Sequence, residues 1–209
     1  MPGRGLLSID ARFDKAPEID FVKLYKAVTE TLNTRVYYGE LEDGYISLTV
    51  ANSGVYAIVD YDREEASLQI YIEAGDARIL FDVYGRLVRA LGAGAPRMAL
   101  VERGLGLVKP EPGKFRLGEL FSRLERMASA PLTVKMYGVG ECSYLVYKMY
   151  EGVWAGVALC PVAVKDMVTS VRLETVVEFE GREPLLPAYT RLDSLVSSAV
   201  SDALGQYIE

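Results

Sequence analysis

Hydrophobic positions along the chain follow two spacings, one typical of helices and the other of strands. Four segments carry apolar residues at intervals of three and four, which predicts an amphipathic α-helix in each. These helices are predicted at Phe21–Leu32, Leu117–Ala128 and Thr190–Tyr207, and around the apolar stripe Leu80–Leu91, where the helix is entered through Gly75 and Asp76 and closed by Gly92 and Gly94. In the last of them, Thr190 followed by Asp193 resembles a capping box and predicts that the helix begins there.

Two series of short strands follow the first and the third predicted helix. They are rich in Val, Ile and Tyr and are separated by short polar turns, which predicts two antiparallel meanders. The predicted strands are Arg35–Leu41, Tyr45–Ala51, Gly54–Tyr61 and Ser67–Ile72 in the first meander, and Leu132–Tyr137, Ser143–Met149, Val153–Cys160 and Val168–Glu180 in the second. The residues before the first helix are expected to be irregular.

This order of elements predicts an α+β fold of two pseudo-repeated modules, each an antiparallel β-meander flanked by two helices (α-β-β-β-β-α). We place the first module at residues 1–94 and the second at residues 115–209. Residues 95–114 form a Gly- and Pro-rich connection, in which Met98–Val108 is apolar enough for a strand or a short hairpin. Residue identity between the halves is low, so a duplication is an interpretation of the pattern.

Composition narrows the chemistry that is available to the chain. None of the 209 residues is a histidine, which excludes Ser-His-Asp and Cys-His nucleophilic sites and the HExxH zinc proteases. No GxxxxGK[ST] loop is present, and no GxGxxG motif opens a helix after a strand. We therefore predict no catalytic residue, no cofactor, no metal site and a non-enzymatic function. Because carboxylates, Tyr and Lys also transfer protons, an enzyme that works without histidine is the third hypothesis.

The two cysteines, Cys142 and Cys160, lie in apolar, strand-rich sequence and match no metal-binding spacing. We interpret them as buried reduced thiols, with a disulfide as the alternative if their strands are neighbours. Residues Met1–Asp14 lack the apolar segment of a signal peptide, and the longest uncharged run, Gly152–Val164, is too short to cross a bilayer. We expect a cytoplasmic protein without a membrane partner. Scarce Asn and Gln among many charged residues indicate a thermophile.

Two groups of residues are candidates for a protein interface. Tyr144, Tyr147 and Trp154 lie on predicted neighbouring strands of the second module, and they would form a binding platform if they line an uncovered sheet face. Packing in the core is the alternative. The outer face of the last helix carries small side chains that let another helix approach closely, namely Ser194, Ser197, Ser198 and Ser201. These features predict another protein as partner, or self-association that includes a dimer.

Basic residues recur at three-residue spacing on three of the predicted helices. These residues are Lys23 and Lys26, Arg86 and Arg89, and Arg123 and Arg126. The chain as a whole is acidic, with 23 Lys and Arg against 29 Asp and Glu, but the basic pairs could form a local strip along a nucleic acid backbone. Acidic residues on the same helix faces favour the alternative of solvated, ion-paired helices. The acidic turn around Asp60 and Asp62 is interpreted as solvated rather than as a cation site.

Two resemblances to known families concern both halves of the chain. Phe115–Leu124, Leu132–Met136 and Ser143–Leu159 resemble the PATAN-type module, which has a helix, a strand, and two further strands joined through a glycine. Phe21–Leu32, Gly44–Val50 and Gly54–Tyr61 look like a relative of the same module. Modules of that family are scaffolds or adaptors without catalytic residues, so this resemblance implies a scaffold.

The second resemblance is to DNA sliding clamps of the PCNA type. Gly44–Asp60 is similar to the clamp segment in which an apolar strand, a short turn and a second strand follow one another. Clamp repeats combine an antiparallel sheet with two helices, and their basic helices face DNA, so the resemblance implies a DNA-binding role for the basic pairs. The chain departs from the clamps in its short length and in a last helix without a basic outer face.

The leading hypothesis is therefore a non-enzymatic, cytoplasmic interaction or adaptor protein. It would bind another protein through an exposed sheet face, the last helix, or both. The alternative is a DNA-associated, clamp-like factor that uses the basic helix faces.

Overall fold

The computed structural model of the chain describes residues 5–51, 55–74, 76–108, 133–136, 143–150, 152–164, 167–205 and 208. Within these residues the protein is an α+β fold with ten strands and three helices. The strands are β1 (Gly5–Arg12), β2 (Tyr38–Glu42), β3 (Tyr45–Ala51), β4 (Tyr56–Asp62), β5 (Ser67–Ala74), β6 (Met98–Val108), β7 (Thr133–Met136), β8 (Ser143–Tyr150), β9 (Val153–Val164) and β10 (Met167–Glu180). The helices are α1 (Phe21–Leu32), α2 (Ala77–Leu91) and α3 (Leu186–Leu204).

The chain divides into two compact units. Unit 1 comprises Met1–Val101 and Phe179–Leu186, and unit 2 comprises Glu102–Glu178 and Pro187–Glu209. The strand order is β2-β3-β4-β5-β1 in unit 1 and β6-β10-β9-β8-β7 in unit 2. The apolar stretch of the predicted connection is a single strand, β6. The predicted helix at residues 117–128 lies outside the described residues.

One face of the unit 1 sheet forms the core of that unit. Neighbouring strands from β2 to β1 pair antiparallel, and alternate residues on each strand point to the same face. Ile9, Leu48 and Ile70 on this face are completely buried. α1 covers the face at β2 and β3, because a Cβ on Gly39 would lie 3.4 Å from the ring of Phe21.

Capping residues fix the ends of the two helices of unit 1. Asp20 precedes α1, and its carboxylate accepts the backbone N–H of Lys23 at 2.7 Å. Asp76 precedes α2 and accepts the N–H of Arg78 at 2.9 Å. Such caps satisfy N–H groups that have no partner within the helix. The predicted bounds of α1 are confirmed, and so are the predicted entry to α2 at Asp76 and its end before Gly92.

The prediction of an irregular N-terminus is wrong, since residues 5–12 form β1. Leu7, Ile9 and Ala11 are buried and alternate with polar residues, and β1 pairs antiparallel with β5. This alternation is the period of a half-buried strand. The charged residues Asp10 and Arg12 make the segment look like a polar loop, so the alternation that predicts a strand was missed.

The prediction that the last helix begins at Thr190 is also wrong. α3 begins at Leu186 and carries Pro187 in its first turn, where a missing N–H costs no hydrogen bond. The buried side chains of α3 include Leu192, Val196, Val200 and Leu204. Asp193 accepts a hydrogen bond from Thr175 on β10 instead of capping the helix.

The interpretation of both cysteines as reduced thiols is corrected by the structure. Cys160 on β9 is disulfide-bonded. The sequence contains one other cysteine, Cys142, which lies outside the described residues directly before β8. β8 and β9 pair antiparallel with Ser143 opposite Leu159, so the chain neighbours of the two cysteines face each other.

Candidate interaction surface

β2 is the first strand in the order of unit 1, and no described strand pairs with its outer edge. All five of its residues are exposed. The Tyr37 N–H donates to the Thr49 carbonyl at 2.8 Å, so Thr49 directs its backbone groups toward β2. Because hydrogen-bonded pairs alternate along an antiparallel ladder, Gly39 and Leu41 direct their backbone N–H and C=O groups away from β3. This edge can accept a further strand.

Large apolar side chains are exposed on β2, on the residue before it and on the first turns of α1. Tyr37 is 80% exposed, Val22 on α1 is 73% exposed and Leu41 is 64% exposed. Tyr38 and Tyr25 are also exposed. We call these five residues, Val22, Tyr25, Tyr37, Tyr38 and Leu41, the β2–α1 surface. They are half of the ten large exposed apolar residues among the described part of the chain, and clusters of this kind mark interaction sites.

Aromatic packing connects the two elements of the β2–α1 surface. The ring of Phe21 lies above Gly39, and a Cβ at Gly39 would be 3.3 Å from Leu48 and 3.4 Å from Phe21. The Phe21 ring stacks on that of Tyr25, with the ring centroids 6.2 Å apart. Gly39 therefore lets α1 approach β2 closely. The sequence assigned Tyr25 to the buried face of α1, but the buried residues of that helix are centred on Leu24 and Val28.

The excess negative charge of the chain lies in the strands that adjoin this edge. Residues 38–66, from β2 through the turn after β4, contain seven acidic residues and one basic residue. Their net charge of −6 equals that of the whole chain, so all other residues together are neutral. Glu40 and Glu42 are exposed on β2 itself. The β2–α1 surface is therefore apolar and borders an acidic region.

A polar row crosses the other face of the unit 1 sheet. Asp10, Gln69, Asp60 and Ser47 lie opposite one another on β1, β5, β4 and β3. Burial raises the pKa of Asp60, although hydrogen bonds from Ser47 and Tyr45 oppose the shift. Burial also raises the pKa of Asp10, and Arg12 partly offsets it with Nε 3.2 Å from Oδ2. Both carboxyl groups are half-buried, and their burial disfavours the charged forms.

Unit 2 contains a hydrogen-bonded cluster between β6, β10 and α3. Arg103 Nε donates to both carboxylate oxygens of Asp193 at 3.0 Å, and Arg103 also donates to the Ser197 hydroxyl. Burial by itself would lower the pKa of Arg103, but the hydrogen bond and charge of Asp193 raise it overall. Burial and the charge of Asp193 raise the pKa of Tyr189 beside this pair. These hydrogen bonds orient α3 on β6 and β10.

The structure describes the predicted protein-interface residues in part. Trp154 is half-exposed on β9. The register pairs Tyr144 with Ala158 and Tyr147 with Ala155, and the side chains of both tyrosines lie outside the described ones. On α3, exposed serines are found at 194, 198 and 201. The prediction that Ser197 lies on the outer face of the helix is wrong. Ser197 lies four residues after Asp193, on the same side of the helix, and accepts a hydrogen bond from Arg103.

The basic pairs of α1 and α2 are exposed, and acidic or carbonyl groups engage them. Lys26 lies 4.0 Å from Glu30, and Arg86 lies 2.8 Å from Asp82. Lys23 donates to a backbone carbonyl at 2.9 Å, and Arg89 donates to another at 3.0 Å. Arg123 and Arg126 lie outside the described residues. These contacts reduce the positive charge that the two helices present.

The acidic turn after β4 has a structural role. Asp62 accepts the backbone N–H groups of Glu64 and Glu65 at 2.8 and 3.0 Å, which is the geometry of an Asx turn. Within the described ranges, no three Asp, Glu or Cys side chains are grouped to hold a metal ion. No helix there is both long and apolar enough to cross a membrane.

Comparisons with known proteins identify no family for this chain. No family model and no curated protein matches it. Among solved structures, the di-domain ARO/CYC StfQ from the steffimycin biosynthetic pathway aligns over 97% of this chain and 93% of that chain, at 10% identity and a TM-score of 0.17. That score carries no conclusion about fold or function. The resemblances to PATAN-type modules and sliding clamps stay expectations from the sequence.

Sequence reasoning missed the β2–α1 surface. Its members belong to segments that were predicted as a helix face and as a strand, where apolar residues normally indicate burial. The available signal was the adjacent pair Tyr37 and Tyr38, because consecutive residues of a strand point to opposite faces and one sheet face cannot bury both. The edge position of β2, which exposes both sides, depends on strand order.

Proposed function

We propose that this protein is a non-enzymatic interaction or adaptor protein that binds another protein through the β2–α1 surface. The single observation that carries the proposal is the exposure of five large apolar residues on β2, on the residue before it and on α1, namely Val22, Tyr25, Tyr37, Tyr38 and Leu41. Exposed aromatic and aliphatic groups lose unfavourable contact with water when a partner covers them. Aromatic residues also contribute strongly to binding at the centres of interfaces.

The strand order supports a duplication in which each module has one strand more than the predicted α-β-β-β-β-α layout. In unit 1 the meander β2-β3-β4-β5 is followed by β1, and in unit 2 the meander β7-β8-β9-β10 is followed by β6. In each unit, the strand that comes first in the chain lies beside the last strand of the meander. A tandem scaffold of this kind would present two related sheets, with Tyr144, Tyr147, Trp154 and the exposed serines of α3 as further contact candidates in the second.

A DNA-associated clamp-like factor is the second candidate function, and the exposed basic pairs on α1 and α2 favour it. Lys23, Lys26, Arg86 and Arg89 would contact the phosphate backbone. Their acidic neighbours and the concentration of negative charge in residues 38–66 weigh against this proposal. An enzyme is the third candidate, with Asp10 and Asp60 as half-buried carboxyl groups whose pKa burial raises.

We also propose that the protein acts in the cytoplasm of a thermophile. The disulfide at Cys160 is compatible with that location, because intracellular proteins of hyperthermophiles are rich in disulfides.

Retention of a partner from extracts of the native cells tests the proposed function. We expect immobilised wild-type chain to retain a specific protein, and the double variant Val22→Lys with Tyr37→Lys to lose it by at least about tenfold, since charge in an apolar interface must be desolvated. The matched control is Ile79→Lys with Leu185→Lys, two exposed apolar residues outside the surface. Equal loss in both double variants, or turnover of a small molecule by the purified chain, would contradict the proposal.

A further inference from the structure

We propose that the β2 edge binds an extended segment of another protein as an added antiparallel strand, and that this segment alternates basic with apolar residues. The inference rests on the proposed function and names the chemistry of the partner. It combines three features of β2. These are the backbone groups of Gly39 and Leu41 that point away from β3, the exposed Leu41 side chain on one face, and Glu40 and Glu42 on the other face.

The backbone of β2 supplies the affinity of such a complex. Gly39 and Leu41 each direct an N–H and a C=O group away from β3, as the ladder to Thr49 requires. A strand that pairs with both residues forms four backbone hydrogen bonds. Strand addition at an exposed edge is an established mode of peptide recognition, in which side chains on alternate positions give specificity.

The side chains of β2 differ between its two faces. Leu41 lies on the face that α1 covers, next along the strand from Gly39 and the Phe21 ring. Glu40 and Glu42 lie on the opposite face. An added strand would therefore place apolar residues beside Leu41 and basic residues beside the two glutamates, because opposite charges on paired strands attract.

The acidic residues behind β2 also favour a basic partner segment. Across the sheet, Glu40 lies in one row with Asp60 on β4, and Glu42 lies in one row with Asp62. The turn after β4 adds further acidic residues. The only basic residue within positions 38–66 is Arg63. A basic segment is attracted by this field, and an acidic or nucleic acid partner is repelled.

A second copy of this chain fits the edge poorly. The antiparallel register that pairs all five residues of β2 with a second copy places Glu40 opposite its own copy, and the register about Leu41 places Glu40 opposite Glu42. Like charges directly opposite each other destabilise a strand pair. The charge pattern therefore favours a different, basic protein over self-association.

Peptide binding to the full chain tests the inference directly. The probe is a short fluorescent peptide of alternating lysine and valine, followed by polarisation, with a glutamate–valine peptide of equal length as its control. We expect the lysine peptide to bind, and the Glu40→Lys with Glu42→Lys variant to bind it at least about tenfold more weakly. The control variant Glu180→Lys with Glu183→Lys, which reverses two exposed charges away from β2, should bind as wild type does.

Amide hydrogen exchange locates the bound peptide. The amides of Gly39 and Leu41 should become protected on addition of the lysine peptide, because the new ladder occupies them. Absence of binding, equal binding of the glutamate peptide, or protection at another strand would overturn the inference. If a cellular partner is lost by Val22→Lys with Tyr37→Lys but kept by Glu40→Lys with Glu42→Lys, the proposed function holds and the inference about a basic strand fails.

Discussion

Individual polar side chains in this protein are placed where burial changes their acid–base behaviour. Asp60 and Asp10 lie half-buried on one sheet face, and one oxygen of each carboxylate has no hydrogen-bond partner in the described part of the chain. Asp76 is a helix cap, and the hydrogen bond from the Arg78 backbone lowers the pKa of its carboxyl group. These two environments predict opposite dependences of stability on pH.

The substitution Asp60→Asn tests the first environment. Since burial raises the pKa of Asp60 in the folded state, the folded chain binds the proton more tightly than the unfolded chain, whose carboxyl titrates near 3.8. The stability contributed by protonated Asp60 is fully present below that pH and is lost as pH rises through the folded pKa. We expect the variant to melt about 2 °C above wild type at pH 7 and to lose this advantage toward pH 3.

The control for this experiment is Asp76→Asn, for which the sign is reversed. The pKa of Asp76 is lowered on folding, so its stabilising effect is present above the unfolded pKa and is lost as pH falls through the folded value. Melting curves by circular dichroism from pH 3 to pH 7 measure both variants. An Asp60→Asn variant that is less stable at pH 7 than at pH 3, relative to wild type, would show that the buried carboxylate is favourable.

At the scale of elements, periodicity in the sequence predicted the helices and strands that have one apolar face. α1 matches its predicted bounds, and β3 does so as well, because their buried residues recur at regular spacing. β1 escaped prediction because Asp10 and Arg12 occupy its polar positions. The start of α3 was misplaced because a Thr followed by an Asp indicates a cap locally, while the Asp193 carboxylate is bound by Arg103 and Thr175 from distant strands.

The candidate site was less accessible to sequence reasoning than the elements were. Whether an apolar residue is buried depends on the order of strands in the sheet, and sequence periodicity does not contain that order. Tyr38 and Leu41 are exposed because β2 is at an edge. Ser197 was assigned to the outer face of its helix because a serine carries no sign of its partner, and Arg103 precedes it by 94 positions.

The disulfide at Cys160 on β9 is expected to stabilise the folded chain. The only other cysteine precedes it by eighteen positions in the sequence, so the bond closes a short loop. We expect Cys160→Ser to lower the free energy of unfolding by about 3 kcal/mol, mainly because the unfolded chain gains freedom. Urea unfolding of wild type and variant, with and without reductant, measures the loss.

Reductant supplies the control for that prediction. It should bring wild type to the midpoint of the variant and leave the variant unchanged, because only wild type contains the bond. A wild-type midpoint that does not respond to reductant would contradict a stabilising disulfide, provided that thiol titration shows complete reduction.

At the scale of the whole molecule, the distribution of charge is the most informative property. The chain has a net charge of −6, and residues 38–66 account for all of it. Under the proposed function, exposed aromatic residues that border this acidic region would attract a basic partner rather than a second copy of the chain. The central claim is therefore that the β2–α1 surface is open in the isolated chain and serves a different protein.

Absolute mass by light scattering on a sizing column tests this claim most directly. The account predicts the mass of one chain for wild type, unchanged in the variant Val22→Lys with Tyr37→Lys, because the isolated protein leaves the surface uncovered. A dimer or a ring-sized oligomer of wild type that returns to one chain in that variant would contradict the account, since the surface would then be an interface between copies.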